Sequence, residues 1–154
     1  MKSQKTWFAA GFILCCFAFA VLLMSSATFQ QSVKISGNAS GKDVVPSVSG
    51  NGSATLTGTY DPSSGMLKYT TNWKDLSAAP TTAGFYAGSN GTAGIALGDP
   101  WALGTDLKPS GSYSGTIKLT PDQAKQLMNG DWYYSLGTPT NAGGEVRGQI
   151  AVKP

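Results

Sequence analysis

Gly143-Gly144-Glu145-Val146-Arg147-Gly148-Gln149-Ile150, close to the C-terminus, decides how this chain is read. The stretch opens on a glycine pair, then alternates, and it holds both the only Glu and the only Arg of the 154 residues. Successive side chains of a strand point to opposite faces, so Val146, Gly148, Ile150 and Val152 share one side. Glu145, Arg147, Gln149 and Lys153 take the other. This pattern predicts a half-buried strand that closes a sheet. Glu145 and Arg147 are expected to form a same-face ion pair or to orient the strand. A Glu held by Arg stays ionised and makes a poor general acid.

The same alternation recurs upstream. Ser32–Ser36 predicts a first strand, and Gly37–Gly50 a loop around Pro46. In Gly52–Tyr60, Ala54, Leu56, Gly58 and Tyr60 share a face; in Met66–Trp73, Leu67, Tyr69, Thr71 and Trp73 do. Asp61-Pro62-Ser63-Ser64-Gly65 between them is turn chemistry, so the pair predicts a hairpin. Ala83–Ala87, Gly94–Leu97, Ser112–Leu119 and Trp132–Leu136 add short strands, with Tyr113, Ile117 and Leu119 inward. One helix is expected near 120–129. Thr120 is its N-cap, Pro121 takes N1, Gln123 completes a capping box, and Gly130 ends it. Ala124, Leu127 and Met128 would be its apolar stripe. Seven or eight short strands at this spacing predict an all-β, antiparallel, Greek-key-like β-sandwich of immunoglobulin-type architecture, as a single domain over 32–154.

The N-terminus reads differently. Lys2 and Lys5 precede about seventeen largely apolar residues, Trp7–Leu23, and Ser25-Ser26-Ala27 follow. That is the layout of a secretory signal peptide over 1–27, cleaved after Ala27, with 28–31 as a short tether. The alternative is an uncleaved membrane anchor through 7–24 with the domain outside the cytoplasm. Cys15 and Cys16 lie inside the apolar run, so a chain starting near Thr28 has no disulfide. Removing the two leader lysines takes the formal charge from +3 to about +1. No basic patch or RNA motif is evident, which argues against a nucleic-acid partner.

Catalytic parts are scarce. The chain has no histidine, and with both cysteines in the leader, zinc or copper would lack imidazole and thiolate ligands. Asp99, Asp106 and loop carbonyls lack the spacing of a calcium loop. No nucleophile elbow is present, and a single Glu does not make a glycosidase pair. No catalytic residue, metal site or cofactor is therefore expected. The aromatic residues remain as interaction candidates: Trp101 in a loop beside Asp99-Pro100, with Tyr86 and Tyr133. Trp132 and Tyr134 are expected to pack inward while Tyr133 alone points out.

The ordered motifs resemble the chordin-type (CHRD) domain family over nearly the whole exported part. They are the Asp61-Pro62-x-x-Gly65-x-Leu67-x-Tyr69 turn, Thr81-Thr82-Ala83, Ser112–Leu119, Leu119-Thr120-Pro121, and Pro139 through Ile150. Glu145, Arg147, Gly148 and Thr120 belong to this signature. The resemblance implies an extracytoplasmic sandwich distantly like copper/zinc superoxide dismutase in architecture. It also implies a His-apolar-His-Gly run after the Thr-Ala pair and a further histidine near the end of the next strand. Gly84, Tyr86 and Gly137 stand at those three positions here. The expected function is a non-enzymatic binding or structural module, periplasmic or extracellular, with an unknown protein or glycan partner at the cell envelope. Any membrane contact would come through the N-terminal segment. The alternative is an envelope hydrolase or oxidoreductase with a histidine-independent site.

Overall fold

The computed structural model describes residues 31–153, and the leader expected at 1–27 lies outside the described residues. In chain order the strands are β1 (Val33–Ser40), β2 (Ser53–Asp61), β3 (Met66–Lys74), β4 (Thr82–Ala87), β5 (Ile95–Ala96) and β6 (Gly111–Lys118). The helix α1 (Pro121–Met128) follows, then β7 (Trp132–Gly137), β8 (Val146–Gln149) and β9 (Ala151–Lys153). Every pairing is antiparallel, and the strands lie in the order β5-β4-β7-β8-β1-β2-β3-β6, with β9 beside β1.

This is one strongly curled sheet, a half-barrel, where the sequence predicts a sandwich of two sheets. The closing strand is the reason. β8 hydrogen-bonds to β7 on one side and meets β1 on the other, through Ser40 opposite Arg147. β9 continues along β1 in the same register, with Ser36 opposite Ala151. The two halves are thus joined by backbone hydrogen bonds and curl until β3 faces β4. Tyr69 of β3 packs edge-on against Phe85 of β4, with ring centroids 4.7 Å apart.

The inward faces follow the alternation read from the sequence. Leu56, Leu67, Tyr69, Trp73, Leu136, Val146 and Ile150 are all buried. Tyr134 occupies the seam of the curl and is 0% exposed. Its ring lies over two glycines: a Cβ on Gly148 would sit 2.8 Å from Tyr134 Cε1, and one on Gly37 would sit 2.9 Å from it. Its hydroxyl donates to Ala54 O at 3.0 Å and Gly37 O at 3.2 Å, which fastens β7 across β8 to β1 and β2. Gly37 therefore belongs to β1, and the strand runs on to Ser40 where a loop is expected. Burial pushes the Tyr134 phenol well above its ordinary pKa, so it remains a donor.

The helix forms as its capping signature requires. Thr120 Oγ1 accepts from Gln123 N at 3.2 Å and Gln123 Oε1 accepts from Thr120 N at 2.9 Å. Gly130 follows it at a φ of 79°. Leu127 is buried, but Met128 is exposed, so the apolar stripe is narrower than expected. An eight-residue helix presents only about two turns, and a single large side chain anchors this one.

Two substitutions test the seam. Gly148→Ala places a methyl group 2.7 Å from Asn38 C and against the Tyr134 ring, and is expected to lower stability by about 1–3 kcal/mol. Tyr134→Phe retains the ring and removes both hydroxyl bonds, with an expected loss of about 1–2 kcal/mol. Urea denaturation checks both, and a Gly148→Ala protein as stable as the parent would refute the packing account.

Candidate functional site

β4 and β7 pair Thr82 with Gly137, Gly84 with Ser135 and Tyr86 with Tyr133. Directly opposed residues share a face, so Gly84, Tyr86 and Gly137 all lie on the outer side of one ladder. The fold thus gathers the three positions at which the family resemblance implies imidazoles. Their present occupants close one of them. A Cβ at Gly137 would stand 2.8 Å from Ala142 O and against the Thr82 hydroxyl. No side chain fits there unless the turn at 141–142 moves. Gly84 is roomier, with Tyr86 Cε2 at 3.8 Å and Pro100 Cα at 3.9 Å from the position a Cβ would take. Tyr86 stacks on Tyr133 with centroids 5.1 Å apart and ring planes 11° apart. Burial, and then the neighbouring Tyr133, raise the Tyr86 phenol pKa, so the ladder offers neutral oxygen rather than the nitrogen or sulfur donors that zinc and copper take.

Of the two roles expected for Glu145 and Arg147, pairing with each other or orienting the strand, the first does not occur, since each bonds elsewhere. Each is buried, at 4% and 3% exposure, and each has its own partners. The Glu145 carboxylate accepts from Ser77 N at 2.7 Å, from Thr138 Oγ1 at 2.6 Å and from the Ser77 hydroxyl. These bonds join the β3–β4 connection to the β7–β8 turn. Burial alone would raise the carboxyl pKa, but donation by Ser77, Thr138 and Asn141 outweighs it and holds the group below the ordinary Glu value. The ionised state follows from hydroxyl and amide donors instead of from arginine.

Arg147 is engaged by a different loop. It donates to Thr92 O at 2.6 Å and Ser89 O at 2.8 Å, and its guanidinium carbon lies 3.6 Å from the centre of the Tyr133 ring. Gln149, two residues on, donates to Gly88 O at 3.0 Å and Gly130 O at 2.9 Å. Tyr133 completes the arrangement by accepting from Gly94 N at 3.1 Å. Tyr133 does point away from the core, as alternation predicts. The 88–94 segment then covers it, leaving it 6% exposed. For the same reason the closing strand is buried on both faces, where half-burial is expected.

Trp101 is core, not a surface anchor. Its loop crosses the open side of the half-barrel, where Trp101 N donates to Ala83 O at 2.8 Å and Leu97 N donates to Phe85 O at 2.9 Å. The indole then lies parallel to Tyr113 of β6 with centroids 5.4 Å apart, and also meets Tyr69 and Phe85. Trp101 lies in a loop, as the sequence predicts, but the gap between β4 and β6 that it fills exists only in three dimensions.

The principal feature missed from the sequence is a lysine and hydroxyl face outside the sheet. Lys34, Lys68 and Lys153 project from β1, β3 and β9 beside Thr57, Thr59 and Thr70, and together they line a hollow of about 770 Å³. The alternate positions of those strands held the signal, but only the register puts them together.

The family model for the CHRD domain matches residues 35–150. The chain belongs to the CHRD family. That span begins inside β1 and ends just after β8, so it takes in the curl apart from β9 and the first residues of β1. No curated protein and no solved structure matches the chain. The signature residues of this CHRD domain therefore have structural partners that can be named: Thr120 caps the helix, Gly148 makes room for Tyr134, and Glu145 and Arg147 fasten two different loops.

Arg147→Ala removes two charge-assisted hydrogen bonds and a ring contact, and is expected to lower stability by about 2–4 kcal/mol. Its local signature is faster amide exchange at Gly94, whose N–H bonds to Tyr133 within the clasped segment. Unchanged exchange there would show that Arg147 does not hold the segment. Glu145 gives a pH test. Its folded pKa is lowered, so its contribution is fully present above the unfolded value of about 4.3 and is lost as pH falls through the folded value. Glu145→Gln should lower stability at neutral pH and make stability less sensitive to acid below about pH 4.3. An identical acid limb in parent and variant would contradict this.

Proposed function

We propose that this CHRD-domain protein is an exported, non-enzymatic binding or structural module of the cell envelope. The observation that carries the reading is the engagement of its polar residues. Glu145 and Arg147 are held in internal hydrogen bonds, and Gly137 is closed to any side chain. A general acid or base must reach a substrate proton and change its protonation state near the working pH. A buried carboxylate held ionised by three donors is poorly suited to that task. The leader pattern of residues 1–27 supports export, and the exposed outer face of the sheet carries lysines and hydroxyls suited to recognition.

The test uses the exported protein as purified from cells. Saturable cosedimentation with washed envelope is expected, together with metal content far below one copper or zinc per chain. Stoichiometric copper or zinc, with a hydrolytic or redox turnover abolished by Glu145→Gln, would overturn the reading, as would the absence of saturable binding. N-terminal sequencing of the same preparation is expected to begin near Thr28, and a retained Met1 would instead indicate anchorage through residues 7–24.

A further inference from the structure

The outward side chains of β1, β2, β3, β6 and β9 form one face with a charge unlike that of the rest of the domain. Lys34, Lys68, Lys74, Lys118 and Lys153 stand on it against a single acid, Asp61. Five cations and one acid give the face a formal +4, whereas residues 31–153 together, with nine cations and eight acids, carry only +1. Asp61 lies at the end of β2, and its own turn occupies it. Its carboxylate accepts from Ser63 N at 2.9 Å, Ser63 Oγ at 2.6 Å and Ser64 Oγ at 2.7 Å.

Register then orders the face. One row across the strands reads Lys153, Lys34, Thr59, Lys68, Thr116, and the next reads Ala151, Ser36, Thr57, Thr70, Ser114. Neighbours along a row are about 4.8 Å apart, which is comparable to the advance of one pyranose ring in an extended glycan. Lys153 directly opposes Lys34, a like-charge pair that destabilises a sheet unless an anion bridges it. All residues of the two rows except Ala151 line a broad, open hollow of about 770 Å³.

We propose that this hollow binds an extended, carboxylate-bearing polysaccharide laid across the strands. The lysines pair with uronate carboxylates, and the serine and threonine rows hydrogen-bond the sugar hydroxyls. This identifies a ligand class for the binding module proposed above and rests on that reading. The other polyanions fit less well. The large exposed apolar residues Val45, Ile95 and Met128 are all off this face, so it lacks the apolar insertion expected at a membrane. Its outward positions hold no aromatic ring for base stacking and no arginine, which sets it apart from a single-strand nucleic-acid groove.

The experiment is affinity electrophoresis of the exported protein through gels containing polygalacturonate, neutral dextran or inorganic polyphosphate. Retardation by polygalacturonate that weakens with salt, and none by dextran, is expected. Replacing Lys34, Lys68 and Lys153 together with Gln should weaken binding by about a hundredfold. Lys42→Gln with Lys125→Gln, off this face, should leave it unchanged. Thr57→Val with Thr59→Val keeps β-branched strand residues and should weaken polygalacturonate binding several-fold. Equal or stronger retardation by polyphosphate, insensitive to the threonine pair, would overturn the proposal in favour of a nonspecific anion surface. Retardation unaffected by the lysine triple would overturn it as well, provided thermal melting shows that variant folded. Envelope cosedimentation that persists without polygalacturonate binding would refute the glycan and leave the module reading intact.

Discussion

The whole curl depends on one aromatic ring lying over two missing side chains. Tyr134 crosses the seam where β7, β8, β1 and β2 run side by side, and Gly148 and Gly37 leave the space its ring occupies. Any Cβ at either glycine would push the ring out of the seam or the strands apart. Glycine ordinarily weakens a strand, because it packs nothing and loses backbone freedom on folding. Here the tyrosine supplies the missing packing area, and its hydroxyl adds two bonds to strand carbonyls. The same arrangement recurs at the other side of the half-barrel, where Tyr69 lies opposite Gly115, with its hydroxyl 2.5 Å from where a Cβ would stand. Two tyrosine–glycine contacts thus let a single sheet bend far enough for β3 to face β4.

The closing strand shows how a buried charge is kept without a counter-charge. A guanidinium taken out of water needs its donors satisfied, and carbonyl oxygens with a ring face meet that need at Arg147. Lysine, a compact ammonium, lacks the planar fork that reaches Ser89 O and Thr92 O together while lying on Tyr133. Glu145 solves the opposite problem with hydroxyl and amide donors from Ser77 and Thr138. Each residue draws a separate loop onto the sheet, so their proximity in sequence reflects one strand holding two loops rather than mutual attraction.

Much of this was legible in the sequence, for reasons of period and punctuation. Alternation identified the inward faces of β2, β3 and β6 residue by residue, and Thr120-Pro121-x-Gln123 marked the helix start to the residue. The family was legible from the order of such pieces. The unseen parts are long-range. Nothing near Glu145 and Arg147 shows that Ser77 and Ser89 approach from elsewhere in the chain, so two opposite charges two residues apart read as a pair. Trp101 looks unemployed until the open side of a curled sheet is there to be filled. One curled sheet and two stacked sheets present the same alternation, and only the hydrogen bonds of β8 to both neighbours distinguish them.

A consequence follows for where recognition can reside in such a domain. The inner side is committed to aromatic packing, and the outer sides of β7 and β8 are covered by the segment that Arg147, Gln149 and Tyr133 hold. Among the described residues nothing covers the outer face of β1, β2, β3 and β6, so its side chains escape the constraints that shape the core. A solvated strand face needs only β-propensity and solubility, which threonine alternating with either sign of charge would satisfy. Mixed signs would be the stable choice, because neighbouring like charges repel. Concentrating five lysines there, two of them directly opposed, while the remaining surface is net acidic, goes against that preference. The charge separation is not needed to fold the sheet, and the carboxylate-bearing glycan proposed for the hollow would supply the opposing charge that the protein itself omits.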